Sequence, residues 1–179
     1  MLVRNTNNRY GIVAICLHWL MAILIIGLVC VGLYMTDIPI GALKLKLYGW
    51  HKEFGLLVLM LVMVRIVWRL RNISPLLPAS IPAWQRFSAH AVHWAFYGFM
   101  FAMPLSGWVM TSAAGLKPSF FGLFVFPGLV TPDEELFSLF QIIHRWLAYG
   151  LIVTFFAHVG AALKHLVINK DGVFQRMFP

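Results

Sequence analysis

The segment His144-Arg-Trp-Leu-Ala-Tyr-Gly-Leu-Ile-Val-Thr-Phe-Phe-Ala-His158 decides the fold. Between its two histidines it carries a single charged side chain, Arg145, and as an α-helix it would rise about 21 Å. A polar imidazole in hydrocarbon is costly unless it bonds something, so such histidines mark a functional site inside a membrane. They are 14 residues apart, nearly four turns, and therefore project from one face of the helix at two depths.

The composition of the whole chain also indicates a membrane protein. Apolar residues make up 61% of the 179 residues and charged residues 11%, and the mean hydropathy is +0.82. So few charges could not coat a soluble globule of this size, and lipid must cover most of the surface. The formal net charge of +8 does not indicate binding to nucleic acid, because too little polar surface exists to present a basic face.

Four apolar segments are predicted to cross the bilayer, each near or above the roughly 20 residues that a spanning helix needs. Within a single membrane domain, residues 1–179, they cover residues 12–35, 48–70, 87–112 and 136–166. Three prolines between the second and third segments forbid one continuous helix there. The outer loop, residues 113–135, contains an aromatic run too short to span, which we expect to lie at the membrane interface.

Positive charge is concentrated on one side of the predicted bundle. Nine basic residues and one acidic residue fall in the N-terminal segment, the second connection and the C-terminal segment. Five basic and five acidic residues fall on the other side. By the positive-inside rule, this asymmetry predicts that both termini are cytoplasmic.

Depth along the helices sorts four of the seven histidines into two pairs. His18, about two turns into the first helix, matches the depth of His158, and His51, at the outer start of the second helix, matches His144. Each pair comes from two helices, so each could clamp a porphyrin, and the two levels suit two haems stacked across a membrane. The sequence contains no Cys-x-x-Cys-His motif, which argues against covalent haem.

Other interpretations of the histidines stay open. They could be ordinary interhelical hydrogen-bonding residues, or part of a metal or proton pathway that also uses some of the nine methionines. His90 and His93 either compete as inner ligands, cap local hydrogen bonds, or contact a haem propionate or a substrate. His165, two turns beyond His158, is either a solvated interfacial residue or a proton-handling residue beside a quinone.

Several segments, taken in order and spacing, resemble the bacterial cytochrome b561 family, above all its small stand-alone members. They are Arg9-Tyr-Gly-Ile-Val-Ala-Ile-Cys-Leu-His-Trp19, His51-Lys-Glu-Phe-Gly55, Arg65-Ile-Val-Trp-Arg69, His144-Arg-Trp-Leu-Ala148, His158-Val-Gly-Ala-Ala-Leu-Lys-His165 and Lys170-Asp-Gly-Val-Phe-Gln-Arg-Met177. The resemblance covers nearly the whole chain. It implies an all-α integral membrane protein of the bacterial inner membrane, a four-helix bundle with two b haems. The implied ligands are His18, His51, His144 and His158.

The resemblance also implies electron transfer with quinone. Some small members oxidise periplasmic superoxide and reduce ubiquinone, so we expect electrons to enter at the outer haem and leave from the inner one. Basic residues of the outer rim are expected to steer superoxide: Lys44, Lys46 and Lys52. We expect a cytoplasmic quinone pocket containing His165 and Arg69 or Arg86. The alternative is a non-enzymatic subunit that carries electrons for a periplasmic redox protein, as other relatives do for hydrogenases and dehydrogenases.

Overall fold

Four long helices form most of the chain in the computed structural model, which describes residues 2–78 and 81–178. They are α1 (Ile12–Asp37), α2 (Ala42–Leu70), α3 (Ala83–Ala113) and α4 (Glu134–Lys164). Each is about 39 to 47 Å long, enough to cross a hydrocarbon core of about 30 Å. An antiparallel hairpin, β1 (Ser119–Phe120) with β2 (Phe124–Val125), lies between α3 and α4. A π-helical turn (His165–Asn169) and a 3₁₀ turn (Phe174–Met177) follow α4.

α1 begins at Ile12 as predicted, whereas the other three helices begin earlier than hydropathy predicted, most clearly α2, which starts at Ala42 rather than at residue 48. Leucines and lysines alternate over Leu43–Leu47, which lowers the hydropathy but does not stop a helix, because both residue types are good helix formers. α4 starts at Glu134 because the Asp133 side chain accepts a hydrogen bond from the Leu136 N–H at 2.8 Å. That bond caps the helix.

Two of the described helices are apolar enough, by length and composition, to cross a membrane: Ile12–Asp37 and Glu134–Asn169. Few of their residues are buried inside the protein, and large apolar side chains such as Ile23 and Phe156, each 67% exposed, face outward. Such a surface needs an apolar solvent. α2 and α3 have the required length but are less apolar, so their crossing stays a prediction.

The helices pack in chain order, α1 on α2, α2 on α3 and α3 on α4. The central core comprises Met21, Val58, Val62 and Met100. α3 and α4 are in close contact at Gly150, where an added Cβ would lie 2.8 Å from Cζ of Phe99. α4 therefore reaches α1 and α2 only across the bundle, and histidine side chains of these helices meet there.

The end of the bundle that carries both termini is covered by three segments bonded to one another. Asn5 Nδ2 donates to the Ile73 carbonyl at 2.8 Å, and the Leu76 N–H donates to the Asn7 carbonyl at 3.0 Å. The Arg176 guanidinium donates to the Leu76 carbonyl, and Trp19 Nε1 of α1 donates to the Met177 carbonyl at 2.8 Å. These bonds join the N-terminal segment, the α2–α3 connection and the C-terminal segment into one layer, called the terminal cap below.

Candidate cofactor site

Two pairs of histidines meet across the bundle at two levels. The ring centroids of His18 (α1) and His158 (α4) are 6.2 Å apart, and those of His51 (α2) and His144 (α4) are also 6.2 Å apart. Within each pair the ring planes are inclined, at 64° and 70°. The matched depths that the sequence indicated therefore correspond to direct juxtapositions of side chains.

The spacing within each pair fits a metal between the rings. Two imidazoles on opposite faces of one iron, each through a metal–nitrogen bond of about 2 Å, have centroids about 6 Å apart. Both pairs match this value, and both join helices that are not neighbours in the packing order. Each level can thus hold an iron porphyrin clamped by two histidines.

Ser106 orients the outer histidine of α4. His144 Nδ1–H donates to Ser106 Oγ at 2.8 Å, and the Ser106 hydroxyl donates to the Met103 carbonyl at 2.7 Å. These two hydrogen bonds place the ring proton on Nδ1 and leave the lone pair of Nε2 free for a metal. Hydrogen bonds to the second nitrogen of a ligating histidine commonly have this effect in metal sites. Gly107 lies beside the same ring, where an added Cβ would be 3.4 Å from Cε1 of His144.

His51 is held by shape more than by hydrogen bonds. Its Nδ1 is buried without a hydrogen bond of good geometry, and the backbone carbonyl of Leu28 is its candidate acceptor. An added Cβ at Gly32 would lie 3.1 Å from Cε1 of His51, tighter than ordinary contact. A glycine at position 32 therefore leaves room for the ring to lie against α1.

The inner level contains more polar groups than the outer one. Arg65 Nη2 donates to His18 Nδ1 at 3.3 Å, which keeps the lone pair of that ring on Nδ1. Ligation through Nε2 requires the proton on Nδ1, so Arg65 must release His18 before that histidine binds a metal. His93 (α3) is also close, with its centroid 5.9 Å from that of His158, so distance alone does not choose between His18 and His93.

His165 is paired at the terminal end of α4. Its Nδ1–H donates to Asp171 Oδ2 at 2.6 Å, and Asp171 Oδ1 accepts from the Val173 N–H at 3.2 Å. Partial burial alone would raise the pKa of Asp171, but these bonds outweigh it and hold that pKa below its usual value. The carboxylate therefore stays charged and fixes the imidazole through Nδ1, which leaves Nε2 available to a second group.

Arg69 and Arg86, the two arginines named for the quinone pocket, differ in their surroundings. The Arg69 guanidinium lies 5.7 Å from the centre of the Tyr97 ring, close to Tyr10. Burial raises the pKa of Tyr10, although Arg69, Arg65 and Arg176 oppose the shift, so the phenol stays protonated at neutral pH. Arg86 is exposed in the first turn of α3, and the structure does not bring it to this cluster.

The lysines of the opposite rim are partly engaged. Lys44 Nζ donates to the Ile38 carbonyl at 2.8 Å, close to the end of α1, and Lys46 Nζ lies 4.7 Å from the centre of the Trp50 ring. Lys52 follows His51 directly in the chain and is half-buried. All three lie on the part of α2 at the end of the bundle opposite the terminal cap.

Sequence reasoning missed four contributors to these sites: Ser106, Arg65, Tyr10 and Asp171. Ser106 is a lone hydroxyl in an apolar stretch of α3, a weak signal, because serine in a helix commonly bonds its own backbone. Asp171 offered a clearer one, since it is the single acidic residue among nine basic residues on its side of the bundle.

Comparison with known proteins gives a consistent result. Residues 9–179 match the sequence pattern of the prokaryotic cytochrome b561 family. Cytochrome b561 homolog 2 of Escherichia coli (strain K12) is 34% identical, over 97% of this chain and 93% of the relative. Cytochrome b561 homolog 1 of the same organism is 32% identical, over 96% and 98%. The probable superoxide oxidase CybB of Yersinia pestis is 27% identical, over 97% of each chain. The chain therefore belongs to the prokaryotic cytochrome b561 family, membrane proteins that carry b-type haem and transfer electrons.

Proposed function

We propose that this chain is a di-haem cytochrome of the bacterial inner membrane that oxidises superoxide and reduces ubiquinone. The observation that supports it most is the pair of 6.2 Å histidine juxtapositions, 14 residues apart on α4. His51 and His144 would hold the outer haem, and His18 and His158 the inner one. When bound, the haems supply one-electron redox chemistry, and the chain controls access and orientation.

The packing favours His18 over His93 as the partner of His158. α3 and α4 are in close contact, with Phe99 against the backbone at Gly150, which leaves little room for a macrocycle between them. α1 and α4 have few contacts with each other, so a macrocycle between His18 and His158 would displace less packing. His93 would then lie beside the inner haem, within reach of its periphery.

The charge distribution supports cytoplasmic termini. The terminal cap and the helix ends beside it carry nine basic residues and one acidic residue, which is the whole excess positive charge of the chain, and the positive-inside rule assigns such an end to the cytoplasm. His51 and His144 are then the periplasmic pair, and His18 and His158 the cytoplasmic pair.

On the periplasmic side, the proposal assigns the capture of superoxide to the lysines of α2. Lys46 and Lys52 flank Trp50 and His51, so their charges lie close to the outer pair. Lys44 lies on the same rim, hydrogen-bonded to the Ile38 carbonyl. Cations around a small opening raise the local concentration of an anion such as superoxide. The name of the Yersinia relative, probable superoxide oxidase, points the same way.

On the cytoplasmic side, the proposal assigns protonation of the quinone to His165. Two superoxide anions give up two electrons and leave as two O₂, while ubiquinone takes those electrons with two protons to become ubiquinol. His165, held by Asp171, is suited to pass on a proton from the cytoplasm. Arg69 and Tyr10 are the other polar groups proposed for this pocket, and Arg86 is left out of it because the structure does not bring that residue to the cluster.

Stopped-flow reduction of the purified haem-loaded protein by superoxide, with and without ubiquinone, tests the proposal. We expect superoxide to reduce the haem within the mixing experiment, and added ubiquinone to reoxidise it and yield ubiquinol. A pyridine haemochrome assay should give two haems per chain. If the haem is reduced no faster than superoxide decays on its own, or if the assay gives one haem per chain, the proposal is ruled out.

The outer hairpin favours a second candidate, an electron-transfer subunit for a periplasmic protein. Leu123 and Val125 at its tip are 76% and 60% exposed, an apolar surface of the kind that partner proteins cover. In that case the purified chain would stay oxidised with superoxide and be reduced only after a reduced periplasmic partner is added.

A further inference from the structure

A groove on the outer side of α2, beside the terminal cap, lies apart from the histidine pairs. It encloses about 490 Å³. Arg4 and Arg71 line it at the helix end, and Met63, Val64 and Val67 line it further along α2. From Arg71 back to Met63 is eight residues, so the lining changes from cationic to apolar over about 12 Å along the helix axis.

The groove faces away from the candidate haem site. Arg65 lies on the face of α2 that contacts His18. Met63 and Val67 are each two residues from Arg65, about 200° around the helix, and they are 52% and 43% exposed. A molecule in the groove would therefore contact the lipid-facing side of α2 and would not compete with a haem.

The charges of the groove suit an anion. Its lining residues carry two guanidinium groups and no carboxylate among those that the structure describes. Within residues 2–78 and 81–178, neither Arg4 nor Arg71 forms an ion pair with an acidic side chain. Arginine presents several N–H donors in a planar fork that matches the oxygens of a phosphate.

The end of α2 does not oppose an anion here, although a helix C-terminus carries partial negative charge. The Arg71 N–H donates to the carbonyls of Val67 and Trp68, each at 3.2 Å. Asn72 Nδ2 also donates to the Trp68 carbonyl, at 2.9 Å. These bonds occupy the carbonyls nearest the groove, so the two arginines dominate its potential.

Trp68 lines the groove with its ring, while its indole N–H is buried among protein atoms and does not open into the groove. Tryptophan rings are typical of the membrane interface, where they contact the acyl chains of lipids.

We propose that this groove binds one anionic phospholipid of the cytoplasmic leaflet. Arg4 and Arg71 would hold the phosphate, and the Trp68 ring would contact an acyl chain together with Met63, Val64 and Val67. Basic pockets on the cytoplasmic side of membrane proteins bind such headgroups. The site would anchor the N-terminal segment to α2, and it does not depend on the identity of the electron donor or acceptor.

Native mass spectrometry of the haem-loaded full chain tests the proposal, with dimyristoyl phosphatidylglycerol and dimyristoyl phosphatidylcholine as probes at equal mole fractions. We expect one phosphatidylglycerol to be retained in preference to phosphatidylcholine. The double variant Arg4→Gln/Arg71→Gln should weaken that retention roughly thirtyfold, because each cation near the membrane surface raises the affinity by a factor of about 5.5 and the two factors multiply. Arg9→Gln/Lys164→Gln removes two cations outside the groove and should leave retention unchanged.

Equal retention of the two lipids by the unaltered chain would overturn the proposal. So would equal losses in the groove and control double variants, or displacement of the lipid by equimolar inorganic phosphate or ubiquinone.

Discussion

The hydrogen bond between Ser106 and His144 allows a sharp test of the outer haem site. In Ser106→Ala, the Nδ1–H of His144 loses its acceptor at 2.8 Å inside a region where Ser106 itself is 4% exposed. An unpaired buried donor costs about 1–3 kcal/mol. The ring can avoid that cost by moving its proton to Nε2, but a protonated Nε2 cannot bind iron. We therefore expect the outer haem to bind about 10- to 100-fold more weakly, which is the usual effect of removing the hydrogen-bond partner of a metal-binding histidine.

The assay is transfer of haem from the purified variant to an excess of apomyoglobin, followed by optical spectroscopy. The outer haem should leave early while the inner one stays, because Ser106 contacts His144 and not His158. A redox titration of the partly depleted protein should then show the loss of one of two components.

Ser112→Ala is the matched control. Ser112 is also a buried serine of α3, but its Oγ donates to the Trp108 carbonyl at 2.9 Å and accepts from the Leu129 N–H at 3.1 Å. It should lower the thermal stability of the protein without selective loss of haem. If Ser106→Ala retains both haems as firmly as the unaltered chain, or releases them together, the reasoning about His144 is refuted.

Three further predictions concern the other sites. His144→Ala should remove one haem and His18→Ala the other, as judged by haem content and residual spectrum; loss of the same haem in both would refute the pairing. Asp171→Asn should leave haem reduction by superoxide unchanged but slow reoxidation by a soluble quinone about tenfold, and unchanged reoxidation would place proton delivery elsewhere. Because the folded-state pKa of Asp171 lies below its ordinary value of 3.8, the contribution of Asp171 to stability should be complete above pH 3.8 and should vanish in stronger acid. The melting temperature of Asp171→Asn should therefore be lower than that of the unaltered chain at neutral pH, and the two should converge at low pH. Reduction by superoxide should slow with added salt, and also after reversal of the three rim charges on Lys44, Lys46 and Lys52; a rate insensitive to both would favour a protein donor.

Much of the site could be read from local spacing. His144 and His158 belong to one helix, where 14 residues set both their common face and the distance between them. The depths of His18 and His51 follow from counting turns in the same way. The family, too, could be identified from the order of short segments, and the comparison confirmed it.

The ends of the helices were predicted less well, because hydropathy records side-chain polarity whereas a helix is held by its backbone. Lys44 and Lys46 lowered the hydropathy of residues 42–47, yet that segment is helical. Lys44 Nζ donates a hydrogen bond to the carbonyl of Ile38, six residues earlier in the chain, and hydropathy does not record such a contact.

The sequence by itself determined which residues could act, and the tertiary structure decided which of them meet. Apolar composition required lipid, helical periodicity set the levels of the histidines, and charge asymmetry predicted the orientation, all of which are additive or local properties. Ser106 and His144 are 38 residues apart, and Arg65 and His18 are 47 apart. Their contacts depend on the rotation and offset of packed helices. Those are set by many weak contacts, such as that of Phe99 with Gly150, and no short stretch of sequence encodes them.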